Sequence, residues 1–373
     1  MRALALVEAR NHVCCRYRVR AFEGTLAASG WSLAIEPVAA GLWHRLAQFG
    51  RAARYDAVLL QRKLLPHWQL RELRRRSRHL IFDFDDAVLY RDSYDRRGPH
   101  DRRRADRFER TVRAADTVIA GNGFLADRAL RAGAHPDRVR VIPTCIAPDL
   151  AAPAVHPGRG PGLELVWIGS SSTLAGLDQQ RPLWERIGRE VPAARLRMVC
   201  DRFLRFDALP VVDVPWSEAT EAADVAAADV GVSWIPDDLW SRGKCGLKVL
   251  QYQAAGLPVL ANPVGVHPEM IRSGVDGFLV SSPDDWVEAV RILAGDPDLR
   301  RRMGRAARAS VEANYSVETW APAFVAAVAG ARPLTGPESR PGALSRPRAI
   351  APRDARRPGE AYPPPQQQSL APS

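Results

Sequence analysis

The sequence predicts an α/β protein made of two doubly wound parallel sheets. Two observations carry that expectation. Short continuous apolar runs alternate with amphipathic stretches in both halves of the chain, the pattern of parallel strands covered by helices on both faces. Between the halves, Ala151 to Gly162 is rich in Pro, Gly and Ala, a composition suited to a linker. The length of 373 residues agrees, because a single core rarely grows past about 250–300 residues.

In the first half, strands are expected at Ala3–Val7, Ser32–Ile35, Ala57–Gln61, Leu80–Phe84, Thr117–Ala120 and Val139–Ile142. Between them lie amphipathic pieces such as Val19–Ala28, Arg104–Ala115 and Gly123–Ala132. The second half repeats the layout, with strands at Leu163–Ile168, Arg195–Val199, Val211–Val214, Val230–Trp234, Val259–Ala261 and Gly277–Val280. Its helices are expected at Asp178–Glu190, Glu218–Ala227, Leu247–Ala255, Asp284–Leu293, Pro297–Ala313 and Val317–Val328. The expected organisation is a first domain over 1–150, a linker over 151–162 and a second domain over 163–330. Residues 333–373, rich in Pro, Arg and Gln with no apolar period, read as a disordered tail.

Composition excludes several classes. No apolar run approaches the ~20 residues that span a bilayer. Met1 to Val7 is apolar, but Glu8 and Arg10 follow at once, so it reads as a strand and not a signal peptide. Five cysteines show no metal-like spacing, and their odd number fits a reducing cytoplasm better than a disulfide scaffold. The net charge of +11 suits a nucleotide, a membrane surface or nucleic acid. Basic residues from Arg96-Arg97 to Arg102-Arg103-Arg104 alternate with Asp95, Asp101 and Asp106 and lack interleaved aromatics, so no nucleic-acid partner is expected. Peripheral attraction to anionic lipid at the inner face of a membrane stays open.

The most informative stretch runs from Ser241 to Ala261: a Gly-containing turn, a short helix, a Gly stop and an apolar strand. Unpartnered N–H groups and the helix dipole make such a helix start a seat for phosphate. Helical spacing places Lys244, Lys248, Gln251 and Ala255 along one face, with Leu247, Leu250 and Ala254 inward. Gly265-Val266-His267-Pro268-Glu269 and Gly274-Val275-Asp276-Gly277 follow in order. From about Asp229 to Tyr315 this series resembles the nucleotide-sugar half of retaining glycosyltransferases of family 4, which have the GT-B fold, in a bacterial subgroup whose helix start reads Gly-Lys-x-Gly-x-Lys.

That resemblance implies two Rossmann-like domains facing a cleft, with a nucleoside-diphosphate sugar on the second and a glycan, lipid-linked or small-molecule acceptor on the first. It implies no cofactor and no metal. Lys244 and Lys248 would stabilise the departing diphosphate, with Arg242, Gly243, Cys245, Gly246 and Leu247 around it. Gly169, Ser170 and Ser171, a small polar loop after a strand, would face the same diphosphate. Glu269 would cap its helix or touch the nucleotide. The family's pair of glutamates falls on Gly243 and Gln251. Gln251 retains donor and acceptor groups for a ribose hydroxyl; Gly243 offers no side chain. In the first half, Asp85 of Phe82-Asp83-Phe84-Asp85-Asp86 would orient an acceptor hydroxyl. Tyr17-Arg18, Gln61-Arg62, His12 and Asn122, each just past a strand, are further cleft candidates. Two other readings share the scaffold: a non-catalytic binding protein and a nucleotide-sugar epimerase. An NAD oxidoreductase is disfavoured because no Gly-x-Gly-x-x-Gly follows the first strand.

Overall fold

The computed structural model describes residues 1–148 and 162–331. The expected linker, apart from Gly162, and the expected tail lie outside the described residues. All twelve expected strands form. They are β1 (Arg2–Val7), β2 (Ser32–Pro37), β3 (Ala57–Gln61), β4 (Leu80–Phe84), β5 (Thr117–Ala120) and β6 (Val139–Val141), then β7 (Leu163–Ile168), β8 (Ala194–Cys200), β9 (Val211–Pro215), β10 (Val230–Ser233), β11 (Val259–Ala261) and β12 (Gly277–Leu279). The helices of the first half are α1 (Val13–Arg18), α2 (Glu23–Ala28), α3 (Leu42–Ala52), α4 (His67–Arg76), α5 (Arg102–Ala114) and α6 (Gly123–Arg131). Those of the second half are α7 (Leu174–Gln179), α8 (Arg181–Glu190), α9 (Glu221–Ala226), α10 (Leu247–Ala254), α11 (His267–Met270), α12 (Pro283–Gly295), α13 (Pro297–Asn314) and α14 (Val317–Val328).

The first sheet runs β2-β1-β3-β4-β5-β6 and the second β12-β11-β10-β7-β8-β9, with parallel pairing throughout. Strand order reverses between β1 and β3 in one sheet and between β7 and β10 in the other. At such switch points the crevice beyond the carboxyl ends of the strands receives ligands. The loops that leave those ends in the two domains meet each other, as the contacts below show. Among the described residues, no helix is long and apolar enough to cross a membrane.

Helix α10 is held firmly on the second sheet. Tyr252 passes under β10 at Gly231, where an added Cβ would lie 2.2 Å from the Tyr252 ring. The Tyr252 hydroxyl accepts from the Ile168 N–H (3.0 Å) and donates to the Val232 carbonyl (3.2 Å). One phenol therefore ties the helix to both strands flanking the switch point.

Several helices differ from expectation. The stretch Val19–Ala28, expected as one helix, is a 3-10 turn at Arg20–Phe22 followed by α2, and α1 precedes it. Helices α3 and α4 were not singled out, because α4 in particular carries only Leu70 and Leu73 as buried apolar residues among its arginines. The last helix, α14, leaves the second domain and packs on the first: Phe324 stacks on Phe22 at 4.2 Å between ring centroids. The crossing is fixed by Ile146 and Tyr315, whose backbones pair (Ile146 N–H to Tyr315 C=O, 3.0 Å), and by Val317 N–H to Ile146 C=O at 3.1 Å. The first domain therefore takes the last helix among the described residues, and the boundary at 330 divides the sequence but not the packing.

Tyr252→Phe leaves the Ile168 N–H and Val232 C=O without their partner. The expected loss is about 1–3 kcal/mol of stability, seen as a lower urea midpoint at unchanged m-value.

Candidate functional site

The segment entering α10 is shaped by backbone demands. Asp238 accepts from the Ser241 N–H at 2.7 Å and starts a 3-10 turn over Ser241–Gly243. Lys244 is extended, and Gly246 takes a left-handed φ of 66°. A Cβ at Gly246 would lie 2.4 Å from the Met270 sulfur, so both conformation and room require glycine. No side chain caps the helix. Because α10 begins at Leu247, Lys244 stands just before the helix and not on the face shared by Lys248 and Gln251, as the spacing had suggested.

The two lysines converge near the second switch point. Lys244 Nζ lies 5.6 Å from the Trp240 ring centre and 4.0 Å from Asp86. Lys248 Nζ lies 4.8 Å from the Trp167 ring centre, and among the described residues no carboxylate is within ion-pairing range of it. Burial, with Lys244 adding repulsion, pushes the Lys248 ammonium down to about 7. The Gly169 loop leaves β7 at the same place: a Cβ there would lie 2.4 Å from the Trp167 ring and 2.8 Å from Thr173 Oγ1. Ser170 and Ser172 share a hydrogen bond of 2.8 Å, and Ser171 N–H donates to Asp201 at 2.6 Å. Trp167 thus links the Gly169 loop to Lys248 at the start of α10, while Lys244 just before that start faces one acid, Asp86.

The first domain presses on this segment from the other side. A Cβ at Gly243 would lie 2.6 Å from Ala87 Cβ and 2.8 Å from Ala87 N. Asn122 caps α6 through Leu125 N–H (2.9 Å) while its amide donates to the carbonyls of Gly243 (3.2 Å) and Lys244 (3.1 Å). Cys245 packs on Gly121, where a Cβ would lie 2.4 Å from its sulfur. Its thiol is pushed well up by burial and by Asp85. Asn122 and Cys245, expected to bind substrate, act here as ties between domains.

Arg18, also expected at the cleft, is enclosed at 2% exposure. Its guanidinium forks onto Asp83 and donates to the Ile142 carbonyl at 2.6 Å. No ligand reaches it; the pair instead fixes the end of β4. The next two acids meet Arg62, whose Nε lies 3.5 Å from Asp85 and whose Nη2 lies 2.6 Å from Asp86. Arg62 has a left-handed φ of 58°, a costly conformation for a non-glycine residue and one that clusters at functional sites. Burial works against Asp85 ionising, yet Arg62 and Arg18 hold its carboxyl below the usual range. Burial pushes Asp86 up despite Lys244 and Arg62. Cys14, Asp85 and Asp86 bring ligand atoms within 4.8 Å of one another, the spacing of a metal site. Arg62 bonds to Cys14 and Asp86 there, so a guanidinium already provides the positive charge.

Gln251 donates to the Tyr17 hydroxyl (3.2 Å), which donates to Glu221 (2.9 Å). Glu221 also takes Arg16 at 2.6 Å and Trp216 Nε1 at 2.8 Å, closing a second tie between domains. Arg242 and Glu269 line a separate hollow of about 270 Å³ with Asn122 and Gly265; neither lysine borders it. Arg242 is paired with Asp237 at 2.7 Å, and burial raises the Glu269 carboxyl. His12 caps α1 through Cys14 N–H (3.3 Å), and His267 is buried against Asn262 and Ser233. The expected residues therefore fall into three groups and not one. Sequence reasoning missed Trp167 inside β7, Asp86 just after β4, Glu221 at the start of α9 and Trp240 beside the glycine-lysine turn, none of which carries a motif of its own.

Two facing parallel-sheet domains joined in this way define the GT-B fold, and solved structures agree. Sucrose-phosphate synthase from Thermosynechococcus elongatus superposes with a TM-score of 0.65 at 18% identity, over 87% of this chain and 96% of that one. Anabaena HepE, solved with UDP and glucose, gives 0.61 at 15% identity, over 87% and 98%. Residues 239–310 match the family described as Glycosyl transferases group 1, which brackets the Lys244 turn, α10 and the Gly265 loop. Among curated proteins, the D-inositol 3-phosphate glycosyltransferase of Nocardia farcinica is 27% identical over 227 residues, 52% of this chain and 48% of that protein. The alpha-maltose-1-phosphate synthase of Mycolicibacterium smegmatis is 29% identical over 241 residues, 54% and 59% respectively. The matches span about half the length of these relatives.

Gly243→Glu, which restores the acid of the resembling family, drives a side chain into the Ala87 backbone. A stability loss of about 1–3 kcal/mol is expected from overpacking, read as a lower melting temperature.

Proposed function

We propose that this chain is a retaining glycosyltransferase of family 4 that moves a sugar from a nucleoside-diphosphate donor to an acceptor held by the first domain, at the cytoplasmic side of the cell envelope. The observation that carries the reading is the Lys244–Lys248 pair at the uncapped start of α10, beside the Gly169 loop at a switch point. Two ammonium groups and free backbone N–H groups, with one acid nearby, suit an anion of two phosphates. The group 1 match over the same residues and the UDP-bound neighbours of the same fold support it.

In the transfer, the bond from the anomeric carbon to the diphosphate oxygen breaks and its electron pair leaves on the diphosphate. The acceptor oxygen bonds to that carbon. The diphosphate oxygen, made basic in the same step, takes the hydroxyl proton. Charge grows at the diphosphate, where the lysines and helix start meet it, so these groups act most strongly when the bond is breaking. Asp85, kept ionised by its arginines, accepts from the acceptor hydroxyl before the reaction and orients it, then releases that proton to the diphosphate oxygen as the glycosidic bond breaks. The reaction so written needs no metal or cofactor. The packing of Gly243 on Ala87 favours one competing reading, a non-catalytic nucleotide-sugar binder, since the sugar loses a carboxylate contact; turnover of a labelled sugar nucleotide separates the two.

Lys248→Ala and Lys244→Ala are each expected to weaken binding of UDP or GDP by about 1.5–3 kcal/mol, roughly 10- to 150-fold, in calorimetry. Unchanged affinity for both nucleotides in both variants defeats the reading. The pH dependence has a definite sign. In the free protein Lys248 is held down to about 7, so it is neutral above that pH, and an anion that favours the ammonium form must draw in a proton. UDP-glucose affinity should therefore be greatest below about pH 7 and fall by up to about tenfold per unit toward pH 9, a slope that Lys248→Ala abolishes.

A further inference from the structure

A cavity of about 360 Å³ opens at the switch point of the first sheet. Glu8 borders it just past β1, Arg62 and Lys63 just past β3, and Arg103, Arg104 and Arg107 from the opening turns of α5. Its acids are already engaged. Glu8 pairs with Lys63 at 3.2 Å, while Asp101 pairs with Arg91 at 3.1 Å and caps the Arg104 N–H at 3.0 Å. Arg62 is held by Asp85 and Asp86. Arg104 gives one N–H to the Tyr90 carbonyl (2.9 Å) and Arg107 one to Leu64 (3.3 Å). Among the described residues, no carboxylate lies within ion-pairing range of Arg103, Arg104 or Arg107, each of which carries five N–H donors.

These arginines also stand where their own helix resists them. The first turn of a helix carries partial positive charge, and like charges four residues apart, as at Arg103 and Arg107, repel. Neither local helix stability nor internal pairing accounts for three guanidinium groups here. An anion seated in the cavity satisfies both complaints.

We propose that this cavity is the acceptor subsite and takes an acceptor bearing a phosphate ester, gripped by Arg103, Arg104 and Arg107. The word acceptor rests on the glycosyltransferase reading; the phosphate does not. The cavity touches the donor space through two shared groups. Trp240 borders the cavity and lies beneath the Lys244 ammonium. Arg62 borders it and bonds Asp86, which faces Lys244 at 4.0 Å. A phosphate held at α5 leaves the rest of the acceptor to extend along Trp240 toward Asp85 and Lys244.

The test uses the full chain with UDP saturating the donor space, at constant ionic strength. Inorganic phosphate is expected to raise the melting temperature of the parent protein, since a ligand of the folded state stabilises it. Arg103→Ala/Arg107→Ala is expected to lose at least tenfold in apparent phosphate affinity, and Arg103→Lys/Arg107→Lys to keep part of it. Vesicles of phosphatidylglycerol, set against phosphatidylcholine, identify the source. Sedimentation with the former alone, competed by phosphate and lost in the alanine variant, means that the phosphate belongs to a lipid headgroup; phosphate binding without vesicle binding means a soluble ester. Equal phosphate stabilisation of parent and alanine variant, or binding of neither probe, overturns the proposal. UDP stabilisation should persist in the alanine variant. If UDP fails to stabilise even the parent, the glycosyltransferase reading falls and the phosphate result is judged alone.

Discussion

The two domains meet where the backbone at Gly243 lies against that at Ala87, and this contact decides where every charged group of the cleft can stand. No side chain fits at 243. A carboxylate that could have balanced the lysines from the second domain is therefore missing, and the balance comes from across the cleft, from Asp86. Asn122 of the first domain holds the Gly243 and Lys244 carbonyls, adding to the Asp238–Ser241 bond that shapes the turn from within the second domain. The site at the start of α10 is thus made by both domains, though its cations come from one.

A second tie behaves alike. Tyr17 accepts from Gln251 and donates to Glu221, so a phenol of α1 bridges the helix that carries Lys248 and the helix that opens with Glu221. The Gln251 amide spans the domains through this bond. The two contacts flank the lysines, which couples domain closure to the position of the ammonium groups. Opening the cleft would break the Asn122 and Tyr17 bonds, and closing it would expel water from around charges whose mutual interaction then strengthens.

The fold was legible because buried parallel strands show as unbroken apolar runs; Leu163–Ile168 and Leu80–Phe84 could scarcely be anything else. The helix start at 246–247 was legible from its glycine and its lysines. What stayed hidden depends on pairing across long stretches of chain. Arg18 read as a cleft residue because its partner Asp83 lies 65 positions away and the pair closes only in the folded sheet. The arginines at 102–104 gave no site because acids alternate with them in the sequence, whereas the fold directs Asp101 to Arg91 and Asp95 to Arg97. Helix α14 read as part of the second domain because nothing in its own pattern names the sheet it covers; Phe22 does so, from the far end of the sequence.

Lys248 shows most plainly why the cleft belongs to a ligand. A half-buried ammonium beside a second ammonium, resting on an indole and lacking an acid, weakens the folded state at neutral pH, since the unfolded chain would hold that proton at no cost. The sign is fixed by the lowered affinity for a proton: stability contributed by neutral Lys248 grows as pH rises from about 7 toward the ordinary lysine range. A cation–π contact with Trp167 offsets part of the penalty, on the order of 1 kcal/mol for such contacts, and does not replace an anion. On the proposed glycosyltransferase reading, a diphosphate supplies the missing partner and restores the proton, which turns the same residue favourable. On that same reading, unfavourable charge in the free protein becomes differential affinity for the occupied one, largest where the departing diphosphate carries most charge.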